Sequence, residues 1–442
     1  MMSLQTPDKI RILQRKLYLK AKAEPDYRFY LLYDKIHRED ILAHAYDLMR
    51  ANDGAPGVDG VTFTEIEEQG REEWLAGIRK ELQEKTYRPA PVRRVMIPKP
   101  GGKGERPLGI PTIRDRTVQA AAKLVLEPIF EADLDPSAYG YRPKRSGLDA
   151  VKEVNKLIRR GYTDVVDADL SKYFDSIPHR DLMTSVARRI VDRNVLRLIK
   201  MWLKTPVEER DERGNRHMSG GKRSTCGTPQ GGVASPMLAN VYMNRFLKYW
   251  RSSGRESAYR AHVVSYADDF VILSCGHAEE AMEWTGQVMT KLGLKLNEDK
   301  TSVRDARKES FEFLGYAFGP HYYRKDGRRY LDASPSKKSV QRLKRRVGGI
   351  LGPGNQAPWP EVRGQLNSLL RGWSSYFSYG TRLMAYRAAD SHVYHSVRRF
   401  LRRRRKVQSQ GMRRFSDEVV FDGLGVLRLR SVHLGPMPTA AR

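Results

Sequence analysis

The sequence predicts an α+β protein, and three changes of pattern along the chain carry that prediction. Residues 1–86 have apolar side chains at helical spacing, and residues 329–406 return to that spacing. Between them, over residues 87–328, short strand-like runs alternate with helical stretches. This order favours a mixed unit, with a sheet covered on one face, between two helical units.

The N-terminal segment, residues 1–86, is expected to be helical up to a loop. Ile41, Leu42 and Ala45 fall near helical spacing, and the Asn-Asp-Gly sequence at 52–54 ends the helix. No continuous apolar core follows the basic residues near the start of the chain. No secretory signal is therefore visible, and a cytoplasmic location associated with nucleic acid is expected.

Residues 87–112 change character and predict a basic hairpin. Val92, Val95 and Ile97 form a strand-like run, and Pro-Lys-Pro-Gly-Gly at 98–102 follows as a turn. A second run then ends in Pro111. Two helices are expected between residues 112 and 160, with a break at 139–143.

Two adjacent carboxylates, Asp268 and Asp269, stand between two apolar strand-like runs. They predict a hairpin tip that offers oxygen ligands to a hard divalent cation. A partner strand is available at 165–170, where Asp167 and Asp169 face one way and the apolar residues face the other. Alternation does not choose between these two acids, and a solvated acidic strand face is the competing interpretation.

The charge of the chain points to a polyanionic partner. Lys and Arg number 80 against 52 Asp and Glu, which gives a formal net charge of +28. Nucleic acid is the first candidate, because neutralising phosphates supplies much of its binding energy. A basic membrane-surface protein is the alternative, but no apolar stretch approaches the roughly 18 residues of a spanning helix.

The helical pattern of residues 329–406 contains three apolar stripes and very basic outer faces. The stripes begin at Val340, Val362 and Val393, and their burial against one another predicts a three-helix unit. Residues 407–442 are expected to form a short tail. The chain has only two cysteines, Cys226 and Cys275, which argues against an appended zinc-supported endonuclease domain.

Ordered short motifs cover nearly the whole chain, and together they resemble the reverse transcriptase/maturase encoded by bacterial group II introns. The motifs are Gly-Ala-Pro-Gly-Val-Asp-Gly (54–60), Tyr-Arg-Pro (87–89), Ile-Pro-Lys-Pro (97–100), Leu-Gly-Ile-Pro-Thr (108–112), Tyr-Gly-Tyr-Arg-Pro (139–143), Asp-Ala-Asp-Leu (167–170), Tyr-Phe-Asp (173–175), Gly-Thr-Pro-Gln-Gly-Gly (227–232), Tyr-Ala-Asp-Asp (266–269), Leu-Asn-Glu-Asp-Lys-Thr (296–301) and Phe-Leu-Gly-Tyr (313–316). The resemblance implies a right-hand polymerase. Its fingers and palm would span 87–328 and its thumb, or domain X, 329–406, after an RNA-binding N-terminal extension at 1–86.

The resemblance also selects the catalytic acids. In the family the catalytic Asp of the palm strand precedes an aromatic residue by five positions, which selects Asp169 with Phe174. Asp169, Asp268 and Asp269 would then hold two Mg²⁺ ions, for which Mn²⁺ can substitute. Strand alternation would turn Asp269 away unless the hairpin tip twists it back, and the role of Asp167 stays open.

Other family positions imply contacts with nucleotide and primer. Phe174 would act as a gate against the ribose 2′-hydroxyl, while the cations of the hairpin would hold the triphosphate. Gln230 would contact the nascent base pair or fix its own loop, and Lys300 would protonate pyrophosphate or form a salt bridge at a helix end. The implied nucleotide-binding residues are Arg93, Lys99, Arg106, Phe174, Gln230 and Lys300. The implied primer or template residues are Tyr139, Arg142, Phe313 and Gly315, although Phe313 also suits the core.

The function implied is an RNA-directed DNA polymerase that binds intron RNA and assists splicing and retrohoming. Its partners would be template RNA, a DNA target or primer and deoxynucleotides. One alternative is a related enzyme that acts in DNA repair, phage defence or sequence diversification without an intron. A second alternative is a non-enzymatic RNA-binding splicing factor.

Overall fold

The α+β class is confirmed by the computed structural model, which describes residues 4–98, 104–211, 215–323, 325–406 and 414–432. The helices of the N-terminal segment are α1 (Asp8–Ala23), α2 (Tyr33–Ile36), α3 (Glu39–Asn52), α4 (Phe63–Gln69) and α5 (Arg71–Gln83). Asp53, with a φ of 44°, ends α3 in the left-handed conformation at the predicted position. Ile10, Ile36 and Ile41 are fully buried in the main hydrophobic core, so this segment packs as part of the body of the protein.

The predicted basic hairpin is present and belongs to a larger sheet, which we call the hairpin sheet. Its strands are β1 (Val92–Pro98), β2 (Glu105–Ile110), β4 (Pro206–Arg210) and β5 (Arg216–Gly220), in the order β2-β1-β4-β5. β1 pairs antiparallel with β2 and parallel with β4. The pairing with β4 was not predicted, since it joins segments more than 100 residues apart in sequence.

The acids lie on a second four-stranded sheet, the acid-bearing sheet. Its strands are β3 (Asp164–Asp169), β6 (Ala261–Tyr266), β7 (Asp269–Ser274) and β8 (Ser302–Asp305), in the order β6-β7-β3-β8. The hairpin of β6 and β7 therefore places its tip beside the end of β3.

The acid-bearing sheet is covered on both faces, so the expectation of a single covered face was wrong. One face, with Val166 and Phe270, packs in the main core against the helical layer. The other face, with Val165 and Val271, packs in a separate core with α7 and a smaller sheet. The helices of this middle region are α6 (Ile113–Glu131), α7 (Gly147–Arg159), α8 (Tyr173–Ser176), α9 (His179–Ala187), α10 (Arg193–Leu203), α11 (Ser235–Ser252), α12 (Arg255–Ala258) and α13 (Ala278–Lys291).

The smaller sheet lies between the middle region and the C-terminal helices, and we call it the junction sheet. Its strands are β9 (Phe311–Phe313), β10 (Tyr316–Tyr322) and β11 (Arg329–Pro335), in the order β11-β10-β9. Leu314 and Gly315 form the two-residue turn between β9 and β10, with φ values of 50° and 81°. Tyr376 donates a hydrogen bond to the Leu314 carbonyl at 2.8 Å, which ties this turn to a C-terminal helix.

The C-terminal helical unit contains the three predicted helices, α14 (Lys337–Ile350), α15 (Trp359–Tyr376) and α16 (Leu383–Arg404). Their apolar stripes share one core, as expected from the periodicity. Phe415, Phe421 and Leu429 are buried in the same core, so residues 414–432 pack with the helices. The buried Asp390 accepts a hydrogen bond from the Leu429 amide at 2.8 Å. None of the described helices is long and apolar enough to cross a membrane.

Candidate active site

A two-residue turn carries Asp268 at the end of the acid-bearing sheet. Tyr266 and Asp269 are the last cross-strand pair of β6 and β7, and Ala267 and Asp268 connect them. Ala267 has a φ of 61°, which a non-glycine residue adopts only when its surroundings hold it there. The Cα atom of Gly140 lies so close to this turn that a Cβ atom added to it would be 2.5 Å from the backbone nitrogen of Ala267. Close backbone packing against Gly140 thus fixes the position of the turn.

The register of the strands places Asp169 and Asp269 on the same face. The two residues are direct cross-strand partners of β3 and β7. Opposed residues of an antiparallel pair share a face and bring their Cβ atoms to about 5 Å. Asp269 therefore does not turn away from Asp169, and Asp167 lies two residues along the same face.

Residues 295–301 run beside β3 and hold the carboxylate of Asp169. The Lys300 Nζ lies 2.6 Å from Asp169 Oδ2, and the Asn297 side-chain amide donates to the same oxygen at 3.2 Å. The Asn297 backbone amide also donates to the Asp169 carbonyl at 2.8 Å. Lys300 lies in a turn, so the predicted salt bridge at a helix end was wrong, and its salt bridge is instead made to the acid itself.

Burial and mutual repulsion disfavour the charged forms of these acids. Burial, and then the charge of Asp169, raises the pKa of Asp268. Burial, followed by the charges of Asp268 and Asp169, raises the pKa of Asp269 to about 7. Asp269 is accessible to solvent, yet protein atoms surround it on most sides, as in a concave surface. Burial likewise raises the pKa of Asp167 to about 6.

The donor set suits a hard divalent cation, although its side chains do not converge on one point. Within the described ranges, no three carboxylate, imidazole or thiol groups are arranged to hold one metal ion. Carboxylate oxygens are the preferred ligands of such cations, and a nearby cation would relieve the repulsion that adds to burial in raising the pKa of Asp268 and Asp269. Asp169 and Asp268 interact electrostatically with each other and with Lys300, whose ammonium offsets part of their charge.

The glycine-rich loop at 227–232 joins the hairpin sheet to residues 174–177, which follow β3 of the acid-bearing sheet. The Gly109 amide of β2 donates to the Gln230 carbonyl at 2.5 Å. Gly231 has a φ of +107°, and a Cβ on it would lie 2.2 Å from the Gly109 carbonyl oxygen. The Gln230 side chain donates to Asp175 at 3.2 Å, so it fixes its own surroundings in this structure.

The predicted phosphate-binding cations lie on one face of the hairpin. Arg106 is opposite Ile97, and Arg93 is four residues from Ile97 on the same strand, so the two arginines share a face. The Nε of Arg93 is buried and has no hydrogen-bond partner among the described residues. A buried guanidinium nitrogen without a partner in the protein is free to donate to a ligand or to a water molecule. Lys99 lies outside the described residues.

Three aromatic side chains surround the acids, and two of them were not among the predicted site residues. The ring of Tyr141 lies 6.4 Å from that of Phe174 and 6.4 Å from that of Tyr266. Tyr141 is 46% exposed, and it interacts electrostatically with Asp268 and with Arg106. Tyr141 lies in the motif at 139–143, between the predicted site residues Tyr139 and Arg142. Its place in that motif was the signal that could have identified it as a site residue.

Two of the predicted primer or template residues have buried side chains, and the other two, Tyr139 and Gly315, are partly exposed. The side chain of Arg142 is 5% exposed, donates two hydrogen bonds to backbone carbonyls and forms an ion pair with Glu131 at 2.7 Å. Phe313 is 4% exposed in the core beside the acid-bearing sheet. Tyr139 packs partly against the same core, and Arg145 lies over its ring at 4.9 Å. These positions favour a role in supporting the site over direct contact with nucleic acid.

Gly315 lies where the junction sheet meets the C-terminal helical unit. Its carbonyl accepts a hydrogen bond from the Ser339 hydroxyl at 2.8 Å. A Cβ on Gly315 would be 2.9 Å from that hydroxyl oxygen, and its φ of +81° would strain any other residue. This glycine therefore permits the close contact between the two units.

Comparison with known proteins agrees with this fold and site. Residues 97–318 match the family model described as reverse transcriptase (RNA-dependent DNA polymerase). Residues 340–416 match the model described as group II intron, maturase-specific domain. Together the two matches cover the acid-bearing sheet, most of the hairpin sheet after β1 and nearly all of the C-terminal helices.

Two curated proteins illustrate the similarity. The chain is 36% identical over 341 residues to Protein YkfC of Escherichia coli, which covers 69% of this chain and 87% of that protein. It is 29% identical over 350 residues to the Group II intron-encoded protein LtrA of Lactococcus lactis, which covers 65% of this chain and 56% of LtrA. The chain thus matches little more than half of the length of LtrA.

An α+β fold with paired acids at a hairpin tip, facing a basic hairpin, defines a polymerase of the right-hand type. The chain belongs to the reverse transcriptase family, and it carries the maturase-specific domain of the group II intron-encoded members. The predicted enzyme class, RNA-directed DNA polymerase, is confirmed by this membership. Reverse transcriptases use divalent metal ions and act on RNA, DNA and nucleotides.

Proposed function

We propose that this enzyme copies RNA into DNA with Asp169, Asp268 and Asp269 as its catalytic acids. The observation that supports this most directly is the register that sets Asp269 opposite Asp169, with Asp268 in the adjoining turn. We propose Mg²⁺ as the metal, with two ions bound and Mn²⁺ able to substitute. When bound, the ions would neutralise the attacking and leaving oxygens of an in-line displacement at the α-phosphate.

The side chains around the acids have distinct proposed roles. Arg93 and Arg106 hold the triphosphate, since both lie on one face of the hairpin and the buried Nε of Arg93 has no hydrogen-bond acceptor among the described residues. Lys300 orients Asp169 before substrate binds and donates to the phosphates afterwards. Lys99 is proposed to join the two arginines on the grounds of the family motif.

The proposed domain organisation follows from these roles. The hairpin sheet forms the fingers, the acid-bearing sheet forms the palm and the C-terminal helical unit forms the thumb. The boundaries at residues 86, 328 and 406 stay predictions. The burial of Phe421 and Leu429 against the helices favours a thumb that extends to about residue 432.

Replacement of Phe174 by Ala is expected to weaken discrimination against ribonucleotides. Phe174 stands five residues after Asp169 and packs edge-on to Tyr141, so its ring would occupy the space beside the sugar C2′. We expect the preference for dNTP over rNTP, measured as the ratio of kcat/KM in single-nucleotide primer extension, to fall at least about tenfold, or about 1.4 kcal/mol. Phe174→Tyr keeps the bulk of the side chain and serves as control. An unchanged dNTP-to-rNTP ratio in Phe174→Ala would show that Phe174 does not act as the gate.

We further propose that the C-terminal helical unit binds structured group II intron RNA and assists its splicing and retrohoming. The outer face of α16 is strongly basic, and Arg402, Arg403 and Arg404 lie in its last turn. Phosphate contacts of this kind weaken steeply as salt rises. Repair, defence or diversification without an intron remains the competing role, because the active site would be the same.

A splicing assay separates the maturase role from DNA synthesis. The protein is added to a precursor that contains the group II intron flanking its own reading frame, at Mg²⁺ too low for self-splicing. We expect the Asp268→Asn variant to splice as well as wild type while it extends no primer. If wild-type protein extends primers but never accelerates splicing, or if no intron flanks the frame, the maturase proposal fails and the enzyme proposal stands.

A further inference from the structure

A cavity of about 510 Å³ lies behind the acid-bearing sheet, between α6, α9, α11 and α13. Phe130, Val241 and Val288 line it and belong to the core that covers the sheet face opposite the acids. Lys248, at its edge, is 13 residues along α11 from Ser235, where the helix begins beside the glycine-rich loop. At a rise of 1.5 Å per residue this is about 20 Å. The cavity is therefore separate from the active site.

The charged lining of the cavity is almost entirely positive. It consists of Arg188, Arg189, Arg245, Lys248, Lys291 and one acid, Asp133. Arg189 is 4% exposed and forms an ion pair with that acid, since its Nε lies 3.0 Å from the Asp133 carboxylate. Arg245 has a second acid, Asp181, at 3.7 Å. The net positive charge of the cavity therefore comes from the remaining three cations, Arg188, Lys248 and Lys291.

Arg188, Lys248 and Lys291 are exposed, and we call them the rim cations. In the part of the chain that the structure describes, no salt bridge or side-chain hydrogen bond engages any of them. Lys248 does influence Asp133 through its charge, as it helps to lower the pKa that burial raises. Three cations without salt-bridge partners around one concavity repel one another, and an anion that bridges them would remove that repulsion.

An exposed aromatic ring lies beside the rim cations. Tyr249 lines the cavity and is 48% exposed. One face of its ring stacks on Trp284, with a centroid distance of 5.4 Å and an interplanar angle of 26°. The stacking holds the ring in place and leaves part of it open to solvent. A rigid exposed ring next to free cations is the arrangement that binds single-stranded nucleic acid, because bases stack while cations meet the phosphates.

We propose that this cavity is a second nucleic-acid site, in which the rim cations hold the phosphates of an unpaired RNA strand and a base stacks on Tyr249. An RNA duplex does not fit this description, since its bases are already stacked and paired. The strand lies on the opposite side of the sheet from the primer terminus, so it is a different segment from the one being copied. The site would anchor a single-stranded part of a bound RNA during synthesis. The inference goes beyond the polymerase function and does not depend on it.

Binding of a short RNA to the full-length protein tests the proposal. The active site is first saturated with a primer–template duplex and the next dNTP, with the primer 3′ end blocked. A fluorescent single-stranded RNA of about eight nucleotides is then titrated at several salt concentrations. We expect Lys248→Ala/Lys291→Ala to weaken binding about tenfold and to reduce the salt slope by about 1.4, since two phosphate contacts are lost.

A matched control removes the same charge elsewhere. Lys152 on α7 and Lys200 on α10 are also exposed, and Lys152→Ala/Lys200→Ala should leave binding within about twofold of wild type. Tyr249→Ala should weaken binding at least about fivefold while Tyr249→Phe should not, because only the first removes the stacking surface. A photoreactive uridine in the RNA should cross-link to α11. Thermal unfolding of each variant checks that the fold is intact.

Several results would overturn the proposal. Equal weakening by both lysine pairs would show that only overall charge matters. Displacement of the RNA by equimolar ATP would make the cavity a free-nucleotide site, and displacement by polyglutamate would make it a site for acidic protein segments. Extension of a short annealed primer should be unchanged in Lys248→Ala/Lys291→Ala. If this variant lost primer extension together with RNA binding, the cavity would be part of the path of the copied strand and not a second site. If wild type extends no primer but binds this RNA, the proposed function fails and the cavity proposal stands.

Discussion

Asp268→Asn is expected to reduce nucleotide addition at least about 1000-fold, equivalent to about 4 kcal/mol of transition-state stabilisation. Asparagine keeps the shape of the side chain but removes the negative charge that a divalent cation requires. The measurement is single-turnover extension of a DNA primer on an RNA template. Asp299→Asn is the matched control, because Asp299 is exposed and only one residue from Lys300. It should retain activity within about twofold.

The stability of the Asp268→Asn variant separates loss of catalysis from loss of folding. Burial raises the pKa of Asp268 in the folded protein, so the ionised carboxylate is less favourable there than in the unfolded chain. Neutralising it should leave Tm unchanged or slightly higher. Residual activity above about a tenth of wild type, or a fall in Tm that accounts for the lost activity, would contradict the proposed role of Asp268.

Gly231→Ala is expected to lower kcat/KM for dNTP about 100-fold, mainly through KM, because it separates the hairpin sheet from the glycine-rich loop. The new Cβ would lie 2.2 Å from the Gly109 carbonyl oxygen, which is backbone and cannot rotate away. The φ of +107° adds about 1–3 kcal/mol of strain for a non-glycine residue. The hairpin with Arg93 and Arg106 would therefore move away from the acids.

The control for this substitution is Gly364→Ala in the middle of α15, where nothing lies within 4 Å of the added Cβ. There alanine should stabilise the protein by up to about 1 kcal/mol and leave polymerase activity unchanged. The measurements are steady-state kinetics over a range of dNTP concentrations and thermal unfolding. A wild-type KM for Gly231→Ala would show that contact between Gly109 and Gln230 does not position the nucleotide site.

Local patterns in the sequence were enough for most elements of secondary structure. The hairpin at 87–112, the break between α6 and α7 and the three C-terminal helices all follow from periodicity of two or 3.6 residues, which needs no knowledge of distant contacts. Which strands pair with one another was harder to predict from the sequence. β4 joins the hairpin sheet through pairing with β1 between residues more than 100 apart, for which a single sequence carries no signal. β5 then joins the sheet by pairing with β4, its neighbour along the chain.

The same division holds for the site. The sequence by itself predicted a hairpin tip at Asp268 and Asp269, because strand-like apolar runs lie on both sides of the two charges. In the structure Asp268 lies in the turn and Asp269 is the first residue of β7. Only the tertiary structure decided that Asp269 faces Asp169, since alternation within one strand does not determine the register between two. The salt bridge from Lys300 to Asp169 joins residues 131 apart, and the burial of Arg142 also depends on packing by distant segments. Periodicity is a property of neighbours along the chain, whereas the convergence of charges is a property of the packed fold.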